Sequence, residues 1–372
     1  MKKVGLLRDN KKSKIAVLSP ENIKQLIDKA DFYVETKAGK EAGYSDKDYE
    51  AAGAKIVDSR QGVIDVAEVL LTYSTSLDAD TISSSKTFIG AYDVLGDFGT
   101  LIPFQKIGVN LYSLNLLPRT TIAQSMDVLS SAASILGYKA VLKAASLSTS
   151  TIPMITGAGG TLRPAKVLVL GAGVAGLQAI ATAKRLGAVV RAFDVRAVAK
   201  TDVESLGAQF VDIEGAKDSS SAGGYAVEQS KEYQNKVEQI LYKECIEADM
   251  IICTARIPGK KAPLLVSENA LLNMKSGSVI VDLAADSGGN CAWSTLGKTI
   301  VTDNNITIVG DTNLLAKSSK AASFLLGNNF TSYLKHFLAN SENEEDEIIN
   351  ATRVITDGQV TNERIISEID DI

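Results

Sequence analysis

The sequence predicts an α/β fold built on parallel sheets, and three observations support this prediction. At 372 residues the chain is long for a single hydrophobic core. Short apolar segments typical of strands alternate with helical segments along it, and a glycine-rich turn joins a strand to a helix between Gly171 and Gly176. We therefore expect two Rossmann-like domains with parallel sheets, separated by a cleft. The first would comprise residues 1–128 and 310–372, and the second residues 129–309.

The first predicted domain contains strands but no glycine turn that would suit a phosphate. Ser19 is expected to cap a helix that has Pro20 in its first turn and runs to Ala30. A second helix is expected over residues 46–52. Strands are expected at residues 4–7, 32–36, 55–57, 86–91 and 108–112, with another at the end of residues 65–72. We interpret this region as a substrate or docking domain.

A polar stripe is expected on the helix that joins the two domains. Pro118 and the threonines after it predict a helix start, and the helix can run to about Ala145. Helical spacing would put Gln124, Asp127 and Ser130 on one face. The opposite face would carry Ile122, Met126, Leu129 and Ala133. Spacing alone is as typical of a solvated face, but the uncharged Gln and Ser, the preceding Arg119 and the position upstream of the glycine turn favour a functional one.

The glycine turn belongs to a βαβ unit that has the features of a dinucleotide site. Its strand covers residues 166–170, its helix residues 177–186, and a second strand, 188–193, ends at Asp194. Glycines permit the tight turn and close approach to a pyrophosphate, and the helix N-terminus favours the phosphate charge. A plain strand–turn–helix is the alternative. The cofactor-binding residues predicted in this unit are Gly171, Gly173, Val174, Ala175, Gly176, Asp194, Val195 and Arg196.

The residues after the second strand favour one cofactor over another. The Asp194 carboxylate can accept both ribose hydroxyls of an adenosine and would repel a 2′-phosphate, which favours NAD(H) over NADP(H). Arg196 weakens this preference slightly, because NADP sites use a nearby Arg. We therefore predict NAD(H) as the cofactor.

The remainder of the second domain completes a parallel set of strands. Residues 209–213, 249–253, 278–282 and 306–309 read as strands, and residues 199–206, 227–245 and 318–338 read as helices. Ala255 and Arg256 follow the strand at 249–253, at the end where ligands bind in such sheets. Gly224 and Tyr225 lie in a glycine-rich loop, which is either a disordered connection or a lid over bound nucleotide.

Composition excludes several other functions. The net charge is −5 and the basic residues are scattered, which argues against nucleic-acid binding. The three cysteines show no metal-ligand or disulfide spacing, so we expect reduced thiols and no metal site. No uninterrupted apolar run of about 18 residues occurs, so we expect no direct membrane insertion.

The motifs resemble those of one family along essentially the whole chain. The sequence is similar to the NAD(H)-binding component, domain I, of the alpha subunit of proton-translocating NAD(P) transhydrogenases, a family homologous to alanine dehydrogenase. The motifs that carry this resemblance are Arg119-x4-Gln124-x2-Asp127-x2-Ser130, residues 171–178, 193–196 and 223–226, Ile257-Pro-Gly-Lys260, residues 281–285 and residues 288–291.

The resemblance implies roles for particular residues and partners. Arg119, Gln124, Asp127 and Ser130 would surround the nicotinamide, its ribose and the pyrophosphate, and Gln124 would bridge to the NADP(H)-binding component during hydride transfer. Tyr225 would lie on a loop that closes over NAD(H). The family component forms a homodimer and works with an NADP(H)-binding domain III and a membrane domain II, here expected on separate chains. These partners would hold a cytoplasmic protein at the inner face of the membrane.

Two alternatives remain open beside this one. A free-standing alanine dehydrogenase-like enzyme would use a His, a Lys and a substrate-binding Arg. This chain has a single histidine, His336, which we expect to be a surface residue, and Lys14 where that Arg would stand. Residues 71–76 replace the lysine-bearing strand end of that enzyme. A non-catalytic NAD-binding module would have no reason to keep the polar stripe. Residues 311–317 and Val237 depart from the family pattern, which leaves NAD affinity open.

Overall fold

The computed structural model describes residues 1–9, 13–74, 85–213, 231–257, 259–310 and 313–370. The chain forms two compact units: unit 1 is Met1–Ala132 with Leu315–Ile372, and unit 2 is Ala133–Leu314. The sequence placed these boundaries at 128/129 and 309/310, and the independence of the two domains stays a prediction. No helix among the described residues is long and apolar enough to cross a bilayer.

Unit 1 is organised around a largely parallel sheet. The eight strands assigned to it among the described residues are β1 Lys2–Leu6, β2 Ala30–Glu35, β3 Lys55–Val57, β4 Val69–Leu71, β5 Thr87–Gly90, β6 Asn110–Ser113, β16 Arg353–Thr356 and β17 Gln359–Val360. Their order is β17-β16-β6-β5-β4-β1-β2-β3, and only β16 and β17 run antiparallel to their neighbours.

The helices of unit 1 connect and cover these strands. They are α1 Pro20–Lys24, α2 Asp46–Ala51, α3 Arg60–Val66, α4 Ile102–Ile107, α10 Ser319–Asn340, α11 Glu347–Thr352 and α12 Glu363–Asp370. Ser19 caps α1 through a reciprocal bond with Asn22, as the sequence predicts. The predicted extension of α1 to Ala30 is wrong. Turns replace the helix after Lys24 because Ala30 must already pair with Lys2 in the sheet.

Unit 2 contains the predicted nucleotide-type sheet. Its strands within the described ranges are β9 Lys166–Leu170, β10 Val189–Phe193, β11 Gln209–Phe210, β12 Met250–Cys253, β13 Val279–Asp282, β14 Thr299–Val301 and β15 Thr307–Val309. The order is β11-β10-β9-β12-β13-β15-β14, parallel except for the edge strand β14. Strand order reverses between β9 and β12, which is where ligands bind in sheets of this kind.

Helices cover both faces of this second sheet. They are α6 Val174–Arg185, α7 Ala199–Ser205, α8 Lys231–Glu247 and α9 Glu268–Asn273, with α5 Val128–Leu147 beginning in unit 1. A small hairpin, β7 Ile155–Gly157 and β8 Gly160–Leu162, stands apart from the sheet. Val167 and Val169 of β9 pack in one core and Leu168 and Leu170 in the other, because successive side chains of a strand point to opposite faces.

The predicted fold class is therefore confirmed. Two large, mostly parallel sheets carry helices, and the βαβ unit lies where the sequence placed it. The three cysteines are buried and free of disulfides, in agreement with the prediction of reduced thiols. Burial raises the pKa of the Cys245 and Cys291 thiols to about 12, so these thiols remain protonated at neutral pH.

Candidate functional site

The three glycines of the turn after β9 meet three different structural needs. Gly171 has φ +97°, a left-handed conformation that favours glycine. A Cβ on Gly176 would lie 1.9 Å from the carbonyl oxygen of Gly171, so only glycine lets α6 approach the strand end this closely. A Cβ on Gly173 would meet no atom within 4 Å. The open side of the turn is therefore at Gly173.

Gly173 also begins α6 without a side-chain cap. Its φ of −78° and ψ of −168° are those of an N-cap residue, and no side chain bonds the first turn. A helix N-terminus of this kind presents backbone N–H groups and a positive partial charge. Val174 is exposed and Ala175 is partly exposed, so the first turn of α6 is accessible. This turn fits a phosphate or pyrophosphate group.

A fourth glycine, which the sequence analysis did not single out, supports the same turn from below. A Cβ on Gly137 of α5 would lie 2.0 Å from the carbonyl oxygen of Ala175 in α6. The two helices therefore approach each other backbone to backbone beneath the glycine turn. A glycine within a long helical run was the available signal, because such a residue destabilises a helix and needs a packing reason.

The carboxylate of Asp194 lies at the end of β10 and accepts four hydrogen bonds from the chain. Ala172 N–H donates to Oδ2 at 2.8 Å, and the Arg196 N–H donates to Oδ1 at 2.9 Å. The Arg196 guanidinium donates Nε to Oδ1 at 2.9 Å and Nη2 to Oδ2 at 2.8 Å. Burial alone would raise the pKa of Asp194, but these bonds and the charge of Arg196 outweigh it and lower the pKa. Asp194 is therefore an anion at neutral pH. Val195 is half-buried and packs on the core.

Thr254 and Asn290 fix the backbone beside the glycine turn, and neither was singled out as a site residue from sequence. The register of β9 and β12 pairs Leu170 with Cys253, so the residues after them are neighbours. The Thr254 hydroxyl donates to the Gly171 carbonyl at 2.9 Å. The Asn290 amide accepts from the Ala255 N–H at 3.0 Å and donates to the Ala255 carbonyl at 2.9 Å. Asn290 therefore holds Ala255 as a neighbouring strand would.

Asp282 anchors Asn290 in turn. Asp282 is fully buried at the end of β13, and its carboxylate accepts the backbone N–H of Asn290 at 2.8 Å and of Ala284 at 2.9 Å. Burial raises the pKa of Asp282 against the effect of these bonds. Arg256 bonds the Leu283 carbonyl and Asp286. The segment around Ala255 and Arg256 is thus fastened to the loop that follows β13.

The predicted helix from Pro118 is wrong at its start. Residues Ala123–Met126 form a short 3₁₀ segment, Asp127 has ψ 92°, and the α-helix begins only at Val128. Gln124, Asp127 and Ser130 therefore do not share one helical face. An extended residue interrupts the helical period, so spacing across it carries no information about faces.

Asp127 acts as the cap of α5. Its carboxylate accepts the Ser130 N–H at 2.9 Å and the Ser130 hydroxyl at 2.6 Å, and its carbonyl accepts the N–H of Ser131. An aspartate before a long uninterrupted helical run is a recognised capping signal, so this start could have been found from sequence. The cap gives Asp127 and Ser130 a structural role in addition to any catalytic one.

The short 3₁₀ segment is held firmly while its polar side chain is exposed. Ala123 and Met126 are buried, and the Asn329 amide of α10 donates to the Ser125 carbonyl at 2.9 Å. Gln124 is exposed between them. Of the four residues expected on the opposite apolar face, Met126 is buried, Ala133 is half-buried, and Ile122 and Leu129 are exposed by 69% and 50%. The prediction that Ile122 and Leu129 pack in a core is wrong.

The remaining predicted residues divide into described and undescribed positions. Arg119 is exposed and lies just before the 3₁₀ segment. Gly224 and Tyr225 lie outside the described residues. His336, expected at the surface, is only 19% exposed and bonds Asp346 at 2.9 Å, which itself caps α11. The roles predicted for the site residues stay predictions.

The sheet order, the glycine turn and the anion that follows β10 define a two-unit protein of the Rossmann-like class. Residues 140–363 match the family described as alanine dehydrogenase/PNT, C-terminal domain, and residues 8–136 match alanine dehydrogenase/PNT, N-terminal domain. The chain therefore belongs to the alanine dehydrogenase/PNT family, a family of oxidoreductases, as its motifs predict.

Similar proteins of known name favour one branch of this family. The chain is 40% identical over 358 residues to the first portion of the divided NAD(P) transhydrogenase subunit alpha of Rhodospirillum rubrum, covering 92% of this chain and 93% of that protein. It is 37% identical to NAD(P) transhydrogenase subunit alpha of Cereibacter sphaeroides, covering 88% of this chain but only 64% of that protein. Identity to an alanine dehydrogenase from Halomonas elongata is 28%, over 73% of this chain and 69% of that enzyme.

A solved structure gives the same result. The transhydrogenase of Sinorhizobium meliloti superimposes with a TM-score of 0.85 at 34% identity, covering 98% of this chain and 100% of that one. The fold and its branch of the family are therefore shared over nearly the full length of both chains.

Proposed function

We propose that this chain holds NAD(H) in unit 2 and exchanges a hydride with NADP(H) held by a partner chain, in a process coupled to proton movement across a membrane. The observation that carries this proposal is the pairing of an open glycine turn with the Asp194 carboxylate, in a chain similar over nearly its whole length to the first portion of a divided transhydrogenase subunit alpha.

The residues of unit 2 fit an NAD(H) molecule. The uncapped N-terminus of α6 and the open space at Gly173 suit the pyrophosphate, and the ionised Asp194 suits a ribose diol rather than a 2′-phosphate. The Asn290 clamp keeps the backbone of Ala255 in place beside the turn. A bound NAD(H) would supply or accept the hydride, and the protein residues would bind it, orient it and exclude water.

The described residues offer little for an acid–base reaction. At the end of β4, where the alternative enzyme would carry lysine, the Thr72 hydroxyl pairs with the Tyr92 hydroxyl at 2.5 Å, and burial raises the pKa of Tyr92. Lys14 pairs with Glu41, and His336 pairs with Asp346. Hydride transfer between two nicotinamide rings needs orientation but no proton relay. This composition supports transhydrogenation over oxidation of an amino acid.

We assign Gln124 to the step of hydride transfer itself. Its amide is exposed on a segment fixed by the burial of Ala123 and Met126 and by the bond from Asn329. A rigid support with an outward polar group is what positions a reacting partner without adding a charge. Arg119, Asp127 and Ser130, close in sequence to Gln124, are proposed to help orient the nicotinamide end.

Partners are required by this proposal. The divided subunit of Rhodospirillum rubrum matches this chain over nearly its full length, whereas the subunit alpha of Cereibacter sphaeroides extends well beyond it. We propose that NADP(H) and the membrane segment reside on separate chains, that two copies of this chain form a homodimer, and that the assembly lies at the cytoplasmic face of the membrane.

Hydride exchange in a reconstituted mixture tests the function. The purified chain is combined with an NADP(H)-binding transhydrogenase component, and reduction of an NADP⁺ analogue with shifted absorbance is followed after addition of NADH. We expect exchange that requires both proteins. Turnover of alanine or pyruvate by the chain alone, without any exchange, would refute the proposal in favour of the dehydrogenase.

The variant Gln124→Asn tests the assigned residue. Shortening the side chain by one methylene retracts the amide, so we expect exchange to slow by about tenfold or more while NADH affinity is nearly unchanged. The matched control is Gln105→Asn on α4, also exposed. A large loss of NADH affinity in Gln124→Asn would instead make Gln124 a binding residue.

A further inference from the structure

The Asp194 carboxylate is fully used by the chain itself. An ionised carboxylate offers about four acceptor positions on its two oxygens. Two are used by the backbone N–H groups of Ala172 and Arg196, and two by the Nε and Nη2 groups of the Arg196 guanidinium. The side chains of Asp194 and Arg196 are 7% and 22% exposed, so water contributes little at this pair.

These two sets of donors differ in what they permit. The backbone bonds from Ala172 and Arg196 fix the carboxylate in place whatever the Arg196 side chain does. The guanidinium is attached through a flexible stem and can leave. The two acceptor positions that it would vacate match in number the two hydroxyls of a ribose diol.

We infer that Arg196 is a specificity-determining residue of the dinucleotide site, because its guanidinium occupies the acceptor positions of Asp194 that an adenosine ribose needs. Ribose and guanidinium compete for one carboxylate, and the arginine lowers the affinity for NAD(H). This inference rests on the proposed function, since it takes unit 2 to be the NAD(H) site.

The same pair also keeps Arg196 from serving a 2′-phosphate. A nearby arginine is what NADP sites use for this phosphate. Here both of the guanidinium's bonds to Asp194 run to an anion that would itself repel the phosphate. The pair therefore excludes NADP(H) from this site while it moderates the affinity for NAD(H).

The test is the NADH affinity of Arg196→Met, measured by fluorescence titration of the purified chain. Methionine keeps an unbranched stem but cannot bond the carboxylate. We expect NADH to bind roughly five- to tenfold tighter, the equivalent of releasing one partly buried ion pair. This sign is informative, because the loss of a positive charge should otherwise weaken binding of an anionic cofactor.

Arg191→Met is the matched control. Arg191 lies on the same strand, β10, and pairs with Glu244 at 2.7 Å, so this variant removes the same charge without touching Asp194. Its NADH affinity should stay within about twofold of the unmodified chain. Thermal unfolding of both variants establishes that they are folded.

A second arm reads the other half of the inference through NADPH. Asp194→Asn removes the repelling charge, and NADPH affinity should rise at least about threefold because Arg196 can then accept the 2′-phosphate. The double variant Asp194→Asn with Arg196→Met should lose this gain. A gain that persists in the double variant would contradict the role given to Arg196.

The outcomes separate the two proposals. Unchanged or weaker NADH binding by folded Arg196→Met, beside normal binding by the unmodified chain, would overturn the inference and leave the proposed function standing. Failure of the unmodified chain and of all variants to bind NADH would overturn both.

Discussion

Replacement of the third glycine of the turn, Gly176→Ala, should destabilise unit 2. The new Cβ would lie 1.9 Å from the carbonyl oxygen and 2.8 Å from the carbonyl carbon of Gly171, closer than the 3.0 Å that real Cβ atoms keep. Both neighbours are backbone atoms of a turn that is itself bonded to Thr254. No side chain can rotate away, so α6 or the strand end must shift.

The size of the effect follows from this geometry. Overpacking a well-packed site costs about 1–3 kcal/mol when side chains can adjust. Because backbone must move here, we expect a loss of about 3 kcal/mol, which lowers the midpoint of thermal unfolding by roughly 6–12 °C for a unit of this size.

Gly173→Ala is the informative comparison within the same turn. A Cβ there meets nothing within 4 Å, and the φ of −78° suits alanine. Stability should therefore be unchanged. The methyl group would stand at the open end of α6, where we propose that the pyrophosphate approaches, so NADH affinity should fall by about tenfold or more.

Thermal unfolding by circular dichroism and fluorescence titration with NADH measure the two effects. Gly159→Ala in the β7–β8 hairpin is the control, since a Cβ there also meets no atom within 4 Å. An unfolding midpoint of Gly176→Ala equal to that of the unmodified chain would contradict the packing argument. NADH affinity of Gly173→Ala equal to that of the unmodified chain would contradict the placement of the pyrophosphate.

Two further predictions concern residues that sequence reasoning did not assign to the site or misjudged. Asn290→Asp replaces two buried donors with an anion facing the Ala255 carbonyl, so the free energy of unfolding should fall by about 3 kcal/mol; full stability in urea denaturation would refute the clamp. For Asp346, burial would raise the pKa, but the bond from His336 and backbone bonds lower it. Its stabilisation is therefore present above the unfolded pKa of about 4 and lost as pH falls through the lower folded value. The gap in unfolding midpoint between the unmodified chain and Asp346→Asn should be open at pH 7 and close in acid, and a pH-independent gap would contradict this.

Local signals in the sequence were reliable where the chain satisfies its own needs nearby. The capping pair of Ser19 and Asn22 and the strand ends at Gly171 and Asp194 follow from spacing over a few residues. The error at Pro118 has the same origin. A proline followed by threonines resembles a helix start, but the competing cap at Asp127 lies closer to the long helical run and wins it.

The sequence by itself determined the α/β class, the family and the position of the glycine turn, because periodicity, glycine spacing and motif order are local properties of the chain. Only the tertiary structure decided that Gly137 supports α6, that Asn290 clamps Ala255, and that Arg196 fills the acceptor positions of Asp194. The first two depend on residues 38 and 35 positions apart along the chain coming into contact, as their numbers show. The third depends on a rotamer that neither residue's identity specifies.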